Sequence, residues 1–209
     1  MTKILFICHG NICRSPMAEM VFKDMIRKQH LEYQFYINSA ATSREEIGNG
    51  VHYGTRRKLQ QEGIPCSDHR AVQVTKADYD KYDYLIVMDS HNIRNLMRII
   101  GDDPDNKVSM LLDFTERKGQ SIADPWYTGN FDETYKDVVE GCEGVFLCYY
   151  DERCGSSQYG IDNSSLQGGS WQSSGAGHLR YQHILAISTE NGRIVWCNCT
   201  YYQLSLRAN

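Results

Sequence analysis

Lys3-Ile4-Leu5-Phe6-Ile7-Cys8-His9-Gly10-Asn11-Ile12-Cys13-Arg14-Ser15-Pro16 changes character twice. Its first part, Lys3 to Ile7, is a short apolar run that meets a turn at Cys8-His9-Gly10, as a strand does on entering a loop. Beyond it, Met17, Ala18, Met20, Val21, Met25 and Ile26 recur at helical spacing. Pro16 stands in a first helical turn, where its missing N–H removes no hydrogen bond. A strand, a tight loop and a helix are expected within the first 28 residues.

The alternation continues downstream. Strands are expected near Phe35–Ser39, Tyr84–Met88 and Val108–Leu112, and helices near Val51–Glu62, Asn92–Ile100 and Phe131–Tyr149. Repeated strand-helix alternation predicts an α/β fold, a parallel sheet covered by helices on both faces and joined by right-handed crossovers. Such sheets bind ligands at the carboxyl ends of their strands, and Cys8, Ser39 and Asp89 fall at or just beyond those ends.

Near residue 150 the composition breaks. Between Gly155 and Gly177, 13 of 23 residues are Gly or Ser, a linker composition, and residues 151–209 contain no lysine. His183–Ser188 and Arg193–Thr200 then flank Glu190-Asn191-Gly192, an Asn-Gly signal for a hairpin. The expected division is therefore a domain over 1–150 and, over 151–209, a Gly/Ser-rich linker with a hairpin tail that carries no chemistry.

With 209 residues the chain suits one domain and an appendage. Apolar residues make up 41% and charged ones 23%, as in soluble globular proteins. No run is long enough to span a bilayer, and Ile4–Ile7 is too short for a signal-peptide core, so a cytoplasmic site away from membranes is expected. Eight cysteines spread over such a chain read as thiols rather than as a disulfide framework. The net charge of −4 argues against a nucleic-acid binder, which would show a basic stripe.

The chemistry lies in Cys8 to Ser15, where a cysteine and an arginine enclose five residues between strand and helix. Consecutive backbone N–H groups in such a turn, His9 to Cys13, backed by a helix N-terminus, make a concave positive site for a tetrahedral oxyanion. Gly10 and Asn11 are residue types that tolerate the left-handed backbone such a cradle needs. The same field favours a thiolate at Cys8, the form that acts as a nucleophile. Arg14 offers a planar fork for two phosphate oxygens and for the charge of the transition state. Ser15 can donate a hydrogen bond to the sulfur. A lone Cys-to-Arg spacing would read as a buried thiol and a surface charge; the strand-loop-helix setting with Gly, Asn and Ser-Pro argues otherwise.

From residue 3 to about 148 the sequence resembles the low-molecular-weight protein tyrosine phosphatase family. The resemblance is carried by Cys8 to Pro16, by Asn38-Ser39-Ala40-Ala41-Thr42-Ser43 with Glu46-Ile47-Gly48-Asn49, and by Asp124-Pro125-Trp126-Tyr127. It implies a three-layer, four-stranded parallel sheet, a covalent cysteinyl-phosphate intermediate, and neither metal nor organic cofactor. It also implies that Asp124 protonates the leaving group in the first step and activates water in the second, with Trp126 and Tyr127 walling a slot for an aromatic ring. Asn11, Ser15, Ser39 and His69 match the family's hydrogen-bond network behind the loop, His69 with one residue inserted near Asp68. A helix N-cap accounts for Asp89, which stays outside the catalytic set. By the same resemblance Cys13 can pair reversibly with Cys8 and shield it from irreversible oxidation.

The resemblance also bears on substrate. Ile12 is bulky and apolar, as in tyrosine-specific members, where related protein-arginine phosphatases carry a smaller Thr, so phosphotyrosine proteins or small aryl phosphates are the expected substrates. Glu45 stands on the pocket rim where many members have an aromatic residue, and Val72 replaces an arginine. Two other readings use the same residues. A thioredoxin-coupled arsenate reductase would need a redox relay from Cys66, Cys142, Cys148 or Cys154. A catalytically inactive phosphotyrosine-binding module would need loss of Cys8, Arg14 or Asp124, all of which are present.

Overall fold

The computed structural model describes residues 1–66, 68–154, 180–188 and 194–202. The chain divides into two compact units, Met1–Gln158 and Tyr159–Asn209. The first unit runs β1 (Thr2–Cys8), α1 (Arg14–Lys28), β2 (Phe35–Ala41), α2 (Tyr53–Gln61), α3 (Lys76–Lys81), β3 (Tyr84–Val87), α4 (Ser90–Ile100), β4 (Val108–Met110), α5 (Pro125–Thr128) and α6 (Phe131–Cys154). Its four strands form one parallel sheet in the order β2-β1-β3-β4.

Side chains on a strand alternate between faces, and β1 shows why this sheet needs two helical layers. Ile4, Phe6 and Cys8 enter one buried cluster with residues of α1, α2 and α6, while Leu5 and Ile7 enter a second with residues of α3 and α4. Phe22 of α1 is fully buried and meets the rings of Phe6, Phe35 and Phe146 edge-on, at 5.9, 5.5 and 6.5 Å. Burying one such ring stabilises the fold by about 1.5–3 kcal/mol. In register, Cys8 lies beside Ala41 and Ile7 beside Val87, so the carboxyl ends of the three strands finish level.

Two short helices were not anticipated. For α3 the signal is Thr75-x-x-Asp78, a capping box in which Asp78 accepts from the Thr75 amide at 2.8 Å. The other, α5, is a single turn opened by Asp124 and Pro125 and closed by Gly129 in the left-handed region. β4 stops at Met110 rather than at Leu112, because Asp113 accepts the Met110 N–H at 2.8 Å and draws Leu111–Phe114 into a 3-10 turn. Gly144 lets α6 press on that turn: a Cβ there would strike the Phe114 carbonyl group, whose carbon lies 2.8 Å away.

In the second unit, β5 (Arg180–Ser188) and β6 (Ile194–Tyr202) pair antiparallel, Ser188 opposite Ile194 and Arg180 opposite Tyr202. Each strand is longer than the sequence pattern implied. The expected linker and the Asn191-Gly192 turn lie outside the described residues. Among the described residues no helix is long and apolar enough to cross a membrane.

Candidate active site

The loop between β1 and α1 is organised around Asn11, which takes the left-handed backbone with φ 56°. That turn points its N–H at Cys8 Sγ, 3.3 Å away. Its side chain ties three segments together: Nδ2 donates to Ser15 Oγ at 2.9 Å and to Ser39 Oγ at 2.8 Å, and Oδ1 accepts the Val72 N–H at 3.2 Å. Its carbonyl oxygen lies 2.8 Å from His69 Nε2, so the predicted histidine does reach the loop. Since Ser15 Oγ already accepts from Asn11, its own proton is available to Cys8 Sγ, 3.1 Å away, or to the Ala40 carbonyl at 3.4 Å. Ser39 Oγ donates in turn to Glu19 Oε2 at 2.6 Å, and Lys23 pairs with the same carboxylate.

Glu19 is a participant the sequence reading missed. It lies one turn after Ser15 on α1, and that i, i+4 spacing, which stacks two side chains on one face, was the available signal. The start of α1 has neither a side-chain cap nor an acidic residue in its first turn; Met17 is the first residue to bond back to the Cys13 carbonyl, at 3.2 Å. The partial positive charge of the helix end is therefore left for the loop and whatever anion it holds.

Arg14 is buried, its side chain 3% exposed, between two carboxylates. Nη1 donates to Asp89 Oδ2 at 2.6 Å and to the Ile122 carbonyl at 3.1 Å, and Nη2 to Asp124 Oδ2 at 2.5 Å. Burial works against the guanidinium charge, but the nearby Cys8, Asp124 and Asp89 outweigh it and hold its pKa above the ordinary value. Its Nε is buried without a hydrogen-bond partner. Asp89 holds Arg14 from outside the pocket lining. It does cap α4, with Oδ1 accepting the Asn92 N–H at 2.6 Å, and its second oxygen grips Arg14. A strand-end aspartate before a helix reads as a cap; only the fold brings it to an arginine 75 residues away in sequence.

Asp124 caps α5, its Oδ1 accepting the Trp126 N–H at 3.0 Å while Oδ2 faces Arg14. Cys8, Ile12, Arg14 and Asp124 line one pocket together with Trp126 and Tyr127, which are 56% and 82% exposed, and with Glu45 and Glu46. His9 Nε2 and Glu45 Oε2 pair at 3.0 Å on this rim, both well exposed, where an ion pair contributes little. Gly10 and Cys13 line the pocket as well, whereas Ser15, Ser39 and His69 stand behind it.

Cys13 is a buried thiol; burial, aided by the charges of Cys8 and Asp124, pushes its pKa up to about 12. Cys142, one of the thiols a reductase relay could use, is fully buried in the core behind α1, where it reaches the Ala18 carbonyl at 3.7 Å.

The profile of the low molecular weight phosphotyrosine protein phosphatase family covers residues 3–153. The low molecular weight protein-tyrosine-phosphatase YfkJ of Bacillus subtilis is 40% identical over 154 residues, 73% of this chain and 99% of that protein. Its crystal structure superposes with a TM-score of 0.70 over 73% of this chain and 97% of that one. The human low molecular weight phosphotyrosine protein phosphatase is 38% identical over 66% of this chain and 90% of its own length. A crystal structure described as a Drosophila arginine phosphatase aligns at 28% identity over 71% of this chain and 98% of that one, with a TM-score of 0.65. The chain belongs to the low molecular weight phosphotyrosine protein phosphatase family.

Proposed function

We propose that this chain hydrolyses phosphotyrosine, in proteins or as small aryl phosphates, through a phosphate ester of Cys8. The observation that carries the reading is the setting of Cys8 Sγ. It takes the Asn11 N–H and lies within reach of the Ser15 hydroxyl, at the uncapped start of α1, in one pocket with Arg14 and Asp124.

In the first step the Cys8 thiolate attacks phosphorus, the S–P bond forms, and the P–O bond to tyrosine breaks. Asp124 gives its proton to the departing phenolate oxygen. Arg14 Nε supports this assignment as a buried donor that a phosphate oxygen would satisfy. Substrate binding draws the guanidinium fork from Asp124 to phosphate, freeing that carboxyl group to act as the acid. In the second step Asp124 takes a proton from water, water attacks phosphorus, and Cys8 leaves as a thiolate stabilised by the Ser15 hydroxyl, releasing inorganic phosphate. Ile12 and the rings of Trp126 and Tyr127 offer a flat aromatic group an apolar slot. The deep burial of Cys142 weighs against the arsenate-reductase alternative.

Hydrolysis of phenyl phosphate, whose leaving group needs protonation, by the parent, Cys8→Ser and Asp124→Ala tests the assignment. Cys8→Ser should lose nearly all turnover, and Asp124→Ala about 100- to 10,000-fold. Acid-quenched turnover of the parent with labelled substrate should trap a phosphorylated cysteine; label recovered only as free phosphate would sink the covalent step.

A further inference from the structure

His52 does not line the pocket, yet it touches both loops that carry the chemistry. Its backbone N–H donates to the Ile12 carbonyl at 2.9 Å, holding the outer turn of the phosphate loop. Its Nδ1 accepts the Gly54 N–H at 3.2 Å, which caps α2 and places the ring proton on Nε2. One face of the ring stacks on Phe131 at 5.4 Å and 6°, and its edge meets Trp126 at 5.6 Å and 67°. Phe131 in turn packs on Ile12 and Cys13, and it lies so close over α2 that a Cβ at position 54 would strike its ring. The sequence around His52 is thus shaped to seat this stack.

We infer that His52 is a positioning residue for the general acid: through its ring it fixes Trp126, and with it the Asp124 turn, against the same phosphate loop that its backbone holds. The inference rests on the assignment of Asp124 as the acid. A four-residue helix such as α5 has no stability of its own. Upstream it is anchored by Ile122 N–H to the Met88 carbonyl at 2.8 Å and by Thr134 Oγ1 to the Ala123 carbonyl at 3.1 Å. At and beyond Asp124 the anchors are Arg14, the buried Pro125 and the Trp126–His52 contact. Once phosphate takes the guanidinium fork, the buried Pro125 holds the turn in place and the aromatic contact sets its aim, and small misplacements of a reacting group are costly to rate.

The test uses kcat/KM for two substrates, para-nitrophenyl phosphate, whose leaving group needs little protonation, and phenyl phosphate, whose leaving group needs it. The full-length parent, His52→Asn, His52→Phe and Asp124→Asn are compared. Asn keeps a cap for α2 and removes the ring; Phe keeps the ring and removes the cap. His52→Asn should lose about fivefold more on phenyl phosphate than on para-nitrophenyl phosphate, the scale of one aromatic pair. Asp124→Asn should show the same bias more strongly, and His52→Phe should keep the parent's ratio. An equal loss on both substrates in His52→Asn, beside a biased Asp124→Asn, overturns the role of His52 alone. So does a His52→Phe that shows the bias of His52→Asn. An unbiased Asp124→Asn overturns the acid assignment beneath it.

Discussion

Asp89 Oδ2 lies 2.6 Å from Arg14 Nη1 while Asp89 Oδ1 accepts the Asn92 N–H at the same distance, so one carboxylate caps α4 and anchors the guanidinium. Asn at this position keeps the cap and removes the charge; Ala removes both. Asp89→Asn should lower kcat/KM roughly tenfold, because a charge-assisted bond that orients the fork is lost. It should also cost about 1–3 kcal/mol of stability in urea unfolding. Asp89→Ala should cost about 1 kcal/mol more, the typical worth of an N-cap. Equal stability of the two variants would show that the cap does not matter here.

Asn11 joins a left-handed backbone to three side-chain hydrogen bonds within the loop's supporting network. Asn11→Gly keeps the backbone preference and loses the bonds, whereas Asn11→Ala loses both. Both should reduce kcat/KM, and Ala should be the less stable by about 1 kcal/mol, the cost of placing an L side chain in that region. Matching unfolding midpoints for the two would mean that the turn relaxes to an ordinary conformation, and the strained-cradle account would fall.

How much of this was legible beforehand depended on the range of the interaction. The strand-loop-helix start was readable because apolar runs, Gly10-Asn11 and Pro16 are local signals, and β1 and α1 formed where they indicated. Cys8, Arg14, Asp124, Trp126 and Tyr127 were legible as motif residues, and the fold gathers them in one pocket. Asp89 and His52 were not, for a shared reason. Each has an adequate local job, capping a helix, and its second job appears only when a distant segment folds against it. β4 was read two residues too long because Leu111 and Leu112 are apolar and buried, as a strand's end would be, although a side-chain bond from Asp113 had already turned the chain.

Gly144 offers a stability test in which local propensity and packing oppose each other. In a helix interior Ala is favoured over Gly by about 1 kcal/mol. A Cβ at 144, however, would meet the Phe114 carbonyl carbon at 2.8 Å, and backbone there cannot swing aside like a flexible side chain. Gly144→Ala should therefore destabilise the protein by about 1–3 kcal/mol, as overpacking does. A raised melting temperature would mean that α6 and the 3-10 turn at Leu111–Phe114 are less tightly pressed than their geometry indicates.

Cys13 should make the fold sensitive to alkali. Burial, with the charges of Cys8 and Asp124, raises its thiol from 9.0 to about 12, and burial raises Cys142 in the same direction. Below pH 9 the thiol keeps its proton in both the folded and unfolded states, so its full contribution to stability is present. Between pH 9 and 12 the unfolded chain has released the Cys13 proton and the folded one has not. Stability therefore falls as pH rises, by about 1.4 kcal/mol per pH unit for each such group. Urea unfolding at pH 8 and pH 10.5 should show a loss in the parent that is about 2 kcal/mol smaller in Cys13→Ser, which has no thiol to titrate at that site. Parallel losses in the two proteins would show that the alkaline sensitivity arises elsewhere, with Cys142 as the next residue to replace.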